Sequence, residues 1–403
     1  MRNKAGENNA VVVGGGPAGL TVAIALAEAG IPTLLAGKRP GAGDNRTTAL
    51  LAGSVMALET LGVWELCAAE AAPLRVMRLV DDTGRLWRAP EVRFSAEEIG
   101  LDAFGFNIAN GHLVAALESR ARAIPALRLT EQEVTAVTPG AGTVAVTLKD
   151  GETLHAALVV GADGRRSICR AAAGIAFDEH RYPQVALTVC LTHSRPHRDA
   201  STEFHTASGP FTLVPLPGNR SSLVWVLDPA DADTLAALDD SQLAAEIERA
   251  AHSILGKVTL EPGRALFPLT RARAGRFAAS RIALVGEAAH VIPPIGAQGL
   301  NLGLRDAASI GELAIAAHRA GRDIGGDAVT DAYDRMRRAD AGSRAFAVDL
   351  LNRTLLTDFL PVQGARGLGL YMMDRIGPLR RAVMREGVAP RLSEPRLMRG
   401  EAL

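Results

Sequence analysis

The chain has 403 residues, two or three domains' worth of mass or one large domain with insertions, and enough to bury a sizeable core. Hydrophobic residues make up 48% and charged residues 22%, and 44 Lys and Arg cancel 44 Asp and Glu, which argues against wholesale disorder and against a basic field that would recruit nucleic acid. Cys67, Cys169 and Cys190 stand far apart without a CxxC spacing, no stretch of about 18 uncharged apolar residues offers a membrane span, and the polar first nine residues lead into a strand rather than a secretory signal. Disulfides and a thiolate metal site are therefore not expected, and the expected compartment is the cytoplasm.

The first elements are the plainest. The β-branched run at residues 10–13 predicts a buried strand, a Gly-rich turn follows at 14–19, and an Ala-rich helix is predicted over 20–29, ended by Gly30. A second strand at 33–36 completes a βαβ unit. The middle of the chain reads as mostly β: a hairpin from 144–148 and 153–160 around Asp150-Gly151, then short strands at 185–190, 202–205, 211–214 and 222–227. Residues 235–255 carry a helical period. Residues 281–285 form another buried strand, closed by Gly286. A long helix begins near residue 299 and passes 320. The tail reads as helical from 331 to about 384 and then polar, and no internal repeat occurs.

Three constellations carry the chemistry. Gly14-x-Gly16-x-x-Gly19, with Pro17 and Ala18 inside it, follows a strand and opens a helix. The first glycine allows the tight turn, the second the approach of a pyrophosphate, and the third close packing of helix on strand. The pyrophosphate then meets the free N–H groups at the helix start. A ribose-binding Asp or Glu is expected at the end of the second strand, but Ala36-Gly37-Lys38-Arg39 stand there. Either water and backbone hold the ribose, or Lys38 or Arg39 substitutes, or the nucleotide site is empty. The second constellation runs from Val159 through Asp163-Gly164 to Arg170. The third runs from Ala283 through Gly286-Glu287 to His290, then Pro293, Pro294, Gly296, Gly299, Leu300 and Asn301. A carboxylate at a strand end accepts hydrogen bonds from sugar or ribityl hydroxyls, and a Gly/Pro loop before a helix aims N–H groups at an anion. Each of these also has a plain structural explanation as a turn or connector.

Together the three motifs resemble the flavoprotein monooxygenases of the p-hydroxybenzoate hydroxylase fold, and within them the ubiquinone-biosynthesis hydroxylase family. The segment from Glu287-Ala-Ala-His290 to Gly299-Leu-Asn-Leu-Gly-Leu-Arg-Asp306 is the most specific match, supported by Arg46-Thr-Thr-Ala-Leu50, Asn110-Gly-His-Leu113, Pro215-Leu-Pro217 and Leu370-Tyr-Met-Met-Asp374. The resemblance spans nearly the whole chain. It implies a Rossmann-like α/β FAD-binding domain interrupted by a mainly antiparallel β-sheet substrate domain, with a helical C-terminal region. The FAD parts would be 1–73, 99–178 and 271–322, the substrate parts 74–98 and 179–270, and the helical region 323–403.

By the same resemblance, Gly14, Gly16 and Gly19 receive the FAD pyrophosphate, Arg46 lies along the FAD and Asn110 points toward it. Asp163 supports the FAD and the approach of NAD(P)H. Glu287 replaces the family's Asp on the ribityl chain. Residues from Gly299 to Asn301 border the flavin ring, and Pro293 and Pro294 line its oxygen-reactive face. His290 is either a donor to flavin or substrate or, more simply, a structural histidine. His205 is a substrate-contact candidate or a surface residue at a strand edge.

The implied reaction is hydroxylation of the aromatic ring of a (poly)prenylated phenol on the route to ubiquinone, using molecular oxygen and a flavin hydroperoxide. The electron donor is NAD(P)H or a reductase or ferredoxin. The rivals are a non-catalytic assembly subunit that keeps the fold, and a flavin reductase or oxidase of the same fold. The basic, apolar tail (Leu368, Leu370, Met372, Met373, Ile376, Arg375, Arg380, Arg381, Arg385) suits peripheral contact with the inner membrane or with a quinone-biosynthesis complex, and equally a helix packed on the FAD domain.

Overall fold

A computed structural model describes residues 9–39, 46–84, 90–293, 298–340, 371–372, 375–388 and 394–403. Pro294, Gly296 and the tail residues 341–370, 373 and 374 lie outside the described residues.

Two sheets dominate the chain. The first is built around β1 (Ala10–Val13), whose four side chains are all buried. It is flanked by β2 (Thr33–Ala36) and β12 (Leu158–Gly161), both parallel to it, with β8 (Leu127–Thr130) beyond β2. β20 (Ile282–Leu284) is parallel to β12 and pairs antiparallel with the short β19 (Ala278–Ala279) at the edge. Parallel strands buried on both faces read as continuous apolar runs, as these do. Helices α1 (Pro17–Glu28), α3 (Asn110–Arg122) and α7 (Gln298–Arg319) pack on this sheet, which is the doubly wound α/β arrangement. The helix starts three residues earlier than expected, with Pro17 at its first position, and Gly30 at φ +82° follows its end as expected.

The second sheet has nine strands among the described residues. Its spine is β13 (Phe177–His193), paired antiparallel with β16 (Arg220–Leu227) on one side and β18 (Ala265–Ala274) on the other. β17 (Val258–Leu260) pairs with the end of β13, and β21 (His290–Val291) with β18. Beyond β16 come β15 (Pro210–Leu216), β14 (Ala200–His205), β5 (Val76–Asp81) and β6 (Val92–Ser95). Two three-stranded sheets complete the architecture. One joins β3 (Thr47–Leu51), β7 (Gly105–Ala109) and β4 (Ala71–Pro73), the other β9 (Val134–Pro139), β10 (Val144–Leu148) and β11 (Thr153–Ala156).

The structure corrects two further expectations. The helical period over 235–255 is two helices, α5 (Pro229–Ala237) and α6 (Asp240–Ala250). Asp239 stops the first and caps the second, accepting a 2.8 Å hydrogen bond from the Gln242 N–H in a capping box. The strand expected at 185–190 is 17 residues long, because its charged half, Asp178 to Arg181, pairs with β18. The tail helix α8 (Gly377–Val388) seats Met384 in an apolar cluster with Val92, Phe94 and Phe104, and Arg380 pairs with Glu98.

Candidate active site

Gly14 ends β1 at φ +116° and donates to the Ala36 carbonyl at 2.8 Å. A Cβ on Gly14 would lie 2.1 Å from the Ala162 carbonyl oxygen, so only glycine lets the segment after β12 press against the turn. A Cβ on Gly19 would lie 2.1 Å from the Gly14 oxygen, which is the close helix-on-strand packing expected of that position. Gly16 differs. Its Cβ position faces open space, and as N-cap of α1 it leaves the first N–H groups without a side-chain cap. Open room, free donors and a helix N-terminus together suit a pyrophosphate.

The segment pressed against that turn holds Asp163. Its Oδ2 accepts from the Cys169 N–H at 3.1 Å, while its Oδ1 is buried with no hydrogen-bond partner among the described residues. An orphaned buried carboxylate oxygen is rare and suits a donor from a bound group. Arg170 ties this motif to the third one: its guanidinium donates to the Arg165 and Ala288 carbonyls at 2.8 and 2.9 Å and lies 3.7 Å over the Phe177 ring.

The third motif is seated on α7. Gly286 (φ +59°) donates to Asp306 Oδ2 at 3.0 Å, and a Cβ on Gly303 would come within 3.2 Å of the Gly286 Cα. A Cβ on Gly286 would lie 3.6 Å from the Ala18 Cβ, so the first and third motifs adjoin. Asp306 is fully buried and also accepts from His290 Nε2 at 2.6 Å and from Arg337 Nε at 2.6 Å. Burial pushes its carboxyl up, but the facing His290 and Arg337 outweigh this and hold it below the usual carboxylate range. Asn301 receives the Leu51 N–H and the Ser54 hydroxyl at 2.8 and 2.7 Å and donates to the Ala49 carbonyl at 2.8 Å. It ties α7 to β3 and to α2 (Ala52–Thr60).

A cavity of about 290 Å³ opens where these pieces meet the second sheet. Arg46, Arg165, Glu287 and Pro293 border it on one side. Thr188 and Cys190 of β13, Ser222 and Val224 of β16, and Pro268 and Thr270 of β18 form the opposite wall. Burial, with Glu261 nearby, pushes the Cys190 thiol up to about 11, so it stays a neutral, unreactive thiol. The three cysteines are free and buried.

Of the residues singled out from sequence, Arg46, Glu287 and Pro293 therefore share one cavity. Gly14 and Gly16 form the adjoining turn and Pro17, Ala18 and Gly19 the first residues of α1, with Asp163 and Gly286 against them. Gly299 faces open space at the start of α7, followed by the half-buried Leu300. Lys38 is turned away and pairs with Glu133 at 2.6 Å. Arg39 folds over the turn instead, donating to the Gly37 carbonyl at 2.6 Å, with its buried Nε 3.7 Å from Glu118 Oε1. Asn110 opens α3 and accepts from the Thr48 hydroxyl at 2.6 Å. His205 is no surface residue at an edge. It lies in an interior strand, buried, and pairs with Glu203 at 2.8 Å.

Sequence reading missed Asp306 and Arg337 as site supports, and the hydroxyl-bearing wall of the cavity. A buried acid in an apolar helix was the available signal for Asp306. The alternation of Ala186, Thr188 and Cys190 was the signal for the wall.

An FAD binding domain family matches residues 7–345. The chain is 38% identical over 403 residues to the ubiquinone hydroxylase UbiL of Rhodospirillum rubrum, covering 98% of this chain and 93% of that one. The chain belongs to the FAD-dependent ubiquinone hydroxylase family. A 3-demethoxyubiquinol 3-hydroxylase of Escherichia coli is 32% identical, over 93% of this chain and 96% of its own length. The fold is that of FAD-dependent aromatic monooxygenases. Klebsiella pneumoniae HpxO complexed with FAD and uric acid superposes with a TM-score of 0.74 at 21% identity, covering 97% of this chain and 98% of its own. The p-nitrophenol 4-monooxygenase PnpA of Pseudomonas putida gives 0.75 at 21% identity, covering 94% and 96%. The open face at Gly16 and the unpartnered Asp163 Oδ1 both fit FAD as the resident cofactor of this enzyme.

Proposed function

We propose that the enzyme hydroxylates the aromatic ring of a prenylated phenol in ubiquinone biosynthesis. The observation that carries this reading is the single cavity bordered by Glu287 and Pro293 on the cofactor side and by the face of the second sheet on the other. Bound FAD supplies the activation of molecular oxygen. The chain supplies the rest. The Gly14–Gly19 turn and the α1 N-terminus hold the pyrophosphate, and Asp163 Oδ1 and Glu287 accept from the cofactor's hydroxyls. Arg39 takes the adenosine side that an acid would usually hold. Arg46 and Arg165 place positive charge at the cavity rim, and the Thr188, Ser222 and Thr270 hydroxyls offer partners to a phenol oxygen. Pro293 and Val224 keep the remaining wall apolar, so that water is excluded from the reacting ring.

His290 acts here as a positioning residue. Its Nε2 is committed to Asp306, and Asp306 in turn holds the Gly286 N–H beside Glu287. The electron donor, NAD(P)H or a reductase or ferredoxin, belongs to this reading, as does the division into an FAD part around the parallel sheet and a substrate part around the nine-stranded sheet. So does peripheral docking on the inner membrane or on a quinone-biosynthesis complex. Among the described residues no helix is long and apolar enough to cross a membrane, while Tyr371, Met372, Ile376 and Leu379 are exposed beside Arg375.

The test is oxygen uptake by the purified, FAD-loaded protein with NAD(P)H, with and without a short-chain prenylphenol, read together with the mass of the product. A product heavier by one oxygen supports the reading. Oxygen uptake indifferent to the phenol, with no such product under either NAD(P)H or a ferredoxin system, overturns it.

A further inference from the structure

We propose a second ligand site, for a phosphate-bearing small molecule, on the face of the nine-stranded sheet opposite the active-site cavity. A cavity of about 500 Å³ lies there, over β14, β5 and β6. Side chains alternate along a strand, and on β16 Ser221 lines this cavity while Ser222 lines the active site. The sheet therefore separates the two, and an occupant is an effector rather than the reacting substrate.

The cross-strand row Leu213, Thr202, Arg78 and Arg93 runs along the floor, in register on four adjacent strands. Its end sets two arginines directly opposite each other, an arrangement that costs stability when nothing offsets it. Glu91 is hydrogen-bonded to one of them, taking the Arg78 Nε and Nη2 at 2.7 and 3.0 Å, and attracts Arg93 only through space. Arg93 is exposed, and its interaction with Glu91 is the weaker of the two. Arg195 and Arg198 reach the same cavity from the loop after β13, so four guanidinium groups face one carboxylate.

The rim is also held in an unusual backbone conformation. Arg198 and Asp199 have φ of 54° and 55°, and across the cavity His252 and Ser253 have 49° and 52°. The Ser253 carbonyl accepts from Arg195 Nη1 at 3.1 Å, joining the two strained turns. Paired left-handed non-glycine residues persist only when their surroundings enforce them, as Ser280 and Arg281 also do in the turn between β19 and β20. Ile254 and Leu255 add an apolar wall beside the arginines. Guanidinium groups above an apolar wall suit a phosphate carried on an organic body, such as a nucleotide.

The experiment is calorimetric titration of the FAD-loaded full chain with ADP and, separately, with inorganic pyrophosphate. Loading with FAD keeps the probes out of the cofactor site. One saturable site for at least one probe is expected. Both Arg93 and Arg198 are exposed, so the Arg93→Gln/Arg198→Gln protein should fold and keep its FAD, yet bind that probe roughly tenfold more weakly or worse after losing two charge-assisted contacts. Failure of both probes to bind saturably at millimolar concentration overturns the proposal, and so does binding that the double substitution leaves unchanged.

Discussion

His290 Nε2 lies 2.6 Å from Asp306 Oδ2, with both side chains buried, and the other Asp306 oxygen receives Arg337. One carboxylate thus gathers an imidazole, a guanidinium and the Gly286 N–H. Removing the acid takes the partner from the buried His290 Nε2 and leaves Arg337 with Asp340 alone, and breaking a buried pair costs about 3–5 kcal/mol. Asp306→Ala should lower stability by that order in chemical denaturation, whereas Glu287→Ala, exposed at the cavity, should stay within about 0.5 kcal/mol.

The same carboxylate gives a pH dependence. Its folded value is depressed below the ordinary 3.8, so its contribution is fully present above that value and is lost as pH falls through the lower folded value. Stability plotted against pH should therefore show an acid limb below about pH 4 that is shallower in Asp306→Asn.

Gly16 and Gly19 should fail differently. Gly19→Ala drives a Cβ into the Gly14 carbonyl and should destabilise the fold with or without FAD. Gly16→Ala meets nothing in the protein and keeps an ordinary φ of −77°, so the apoprotein should melt as the parent does. The new methyl occupies the cofactor's space, however, and FAD affinity read by flavin fluorescence should fall roughly tenfold or more.

Asn301 should prove structural in its side chain. It makes three hydrogen bonds that join α7 to β3 and α2, so Asn301→Ala should cost about 2–3 kcal/mol, as expected when buried partners are left unsatisfied. Equilibrium unfolding in urea measures this directly.

Arg39 and Lys38 offer a paired test of the adenosine side. Arg39→Met should weaken FAD binding while leaving any FMN binding unchanged, because FMN lacks the adenosine. Lys38→Met, which breaks only an exposed pair with Glu133, should alter neither and should leave stability unchanged.

Much of the FAD half was legible in the sequence because its signals are local. The strands at 10–13 and 33–36 have the bounds their β-branched and apolar runs suggest, and the glycine turn between them is dictated by steric limits at single positions. The second sheet was legible only in pieces. The charged half of β13 carries no apolar period, and its strand character comes from pairing with β18, far along the chain, Asp178 opposite Arg273 and Arg181 opposite Thr270. The break between α5 and α6 was written in Asp239 and Gln242 but hidden by the apolar period that runs across it.

By itself, then, the sequence determined a βαβ nucleotide unit, three glycine-containing motifs and a family, because tight turns, helix caps and buried strands depend on neighbouring residues. Only the tertiary structure decided what these motifs do to one another. It brought Gly286 beside Ala18 and turned Lys38 toward Glu133 and Arg39 toward the glycine turn. It spent the Asn301 side chain on α2 and β3, and it set Glu287 and Pro293 across a cavity from Thr188 and Ser222. Those outcomes depend on packing between elements distant in the chain, where geometry rather than local preference assigns each polar group its partner.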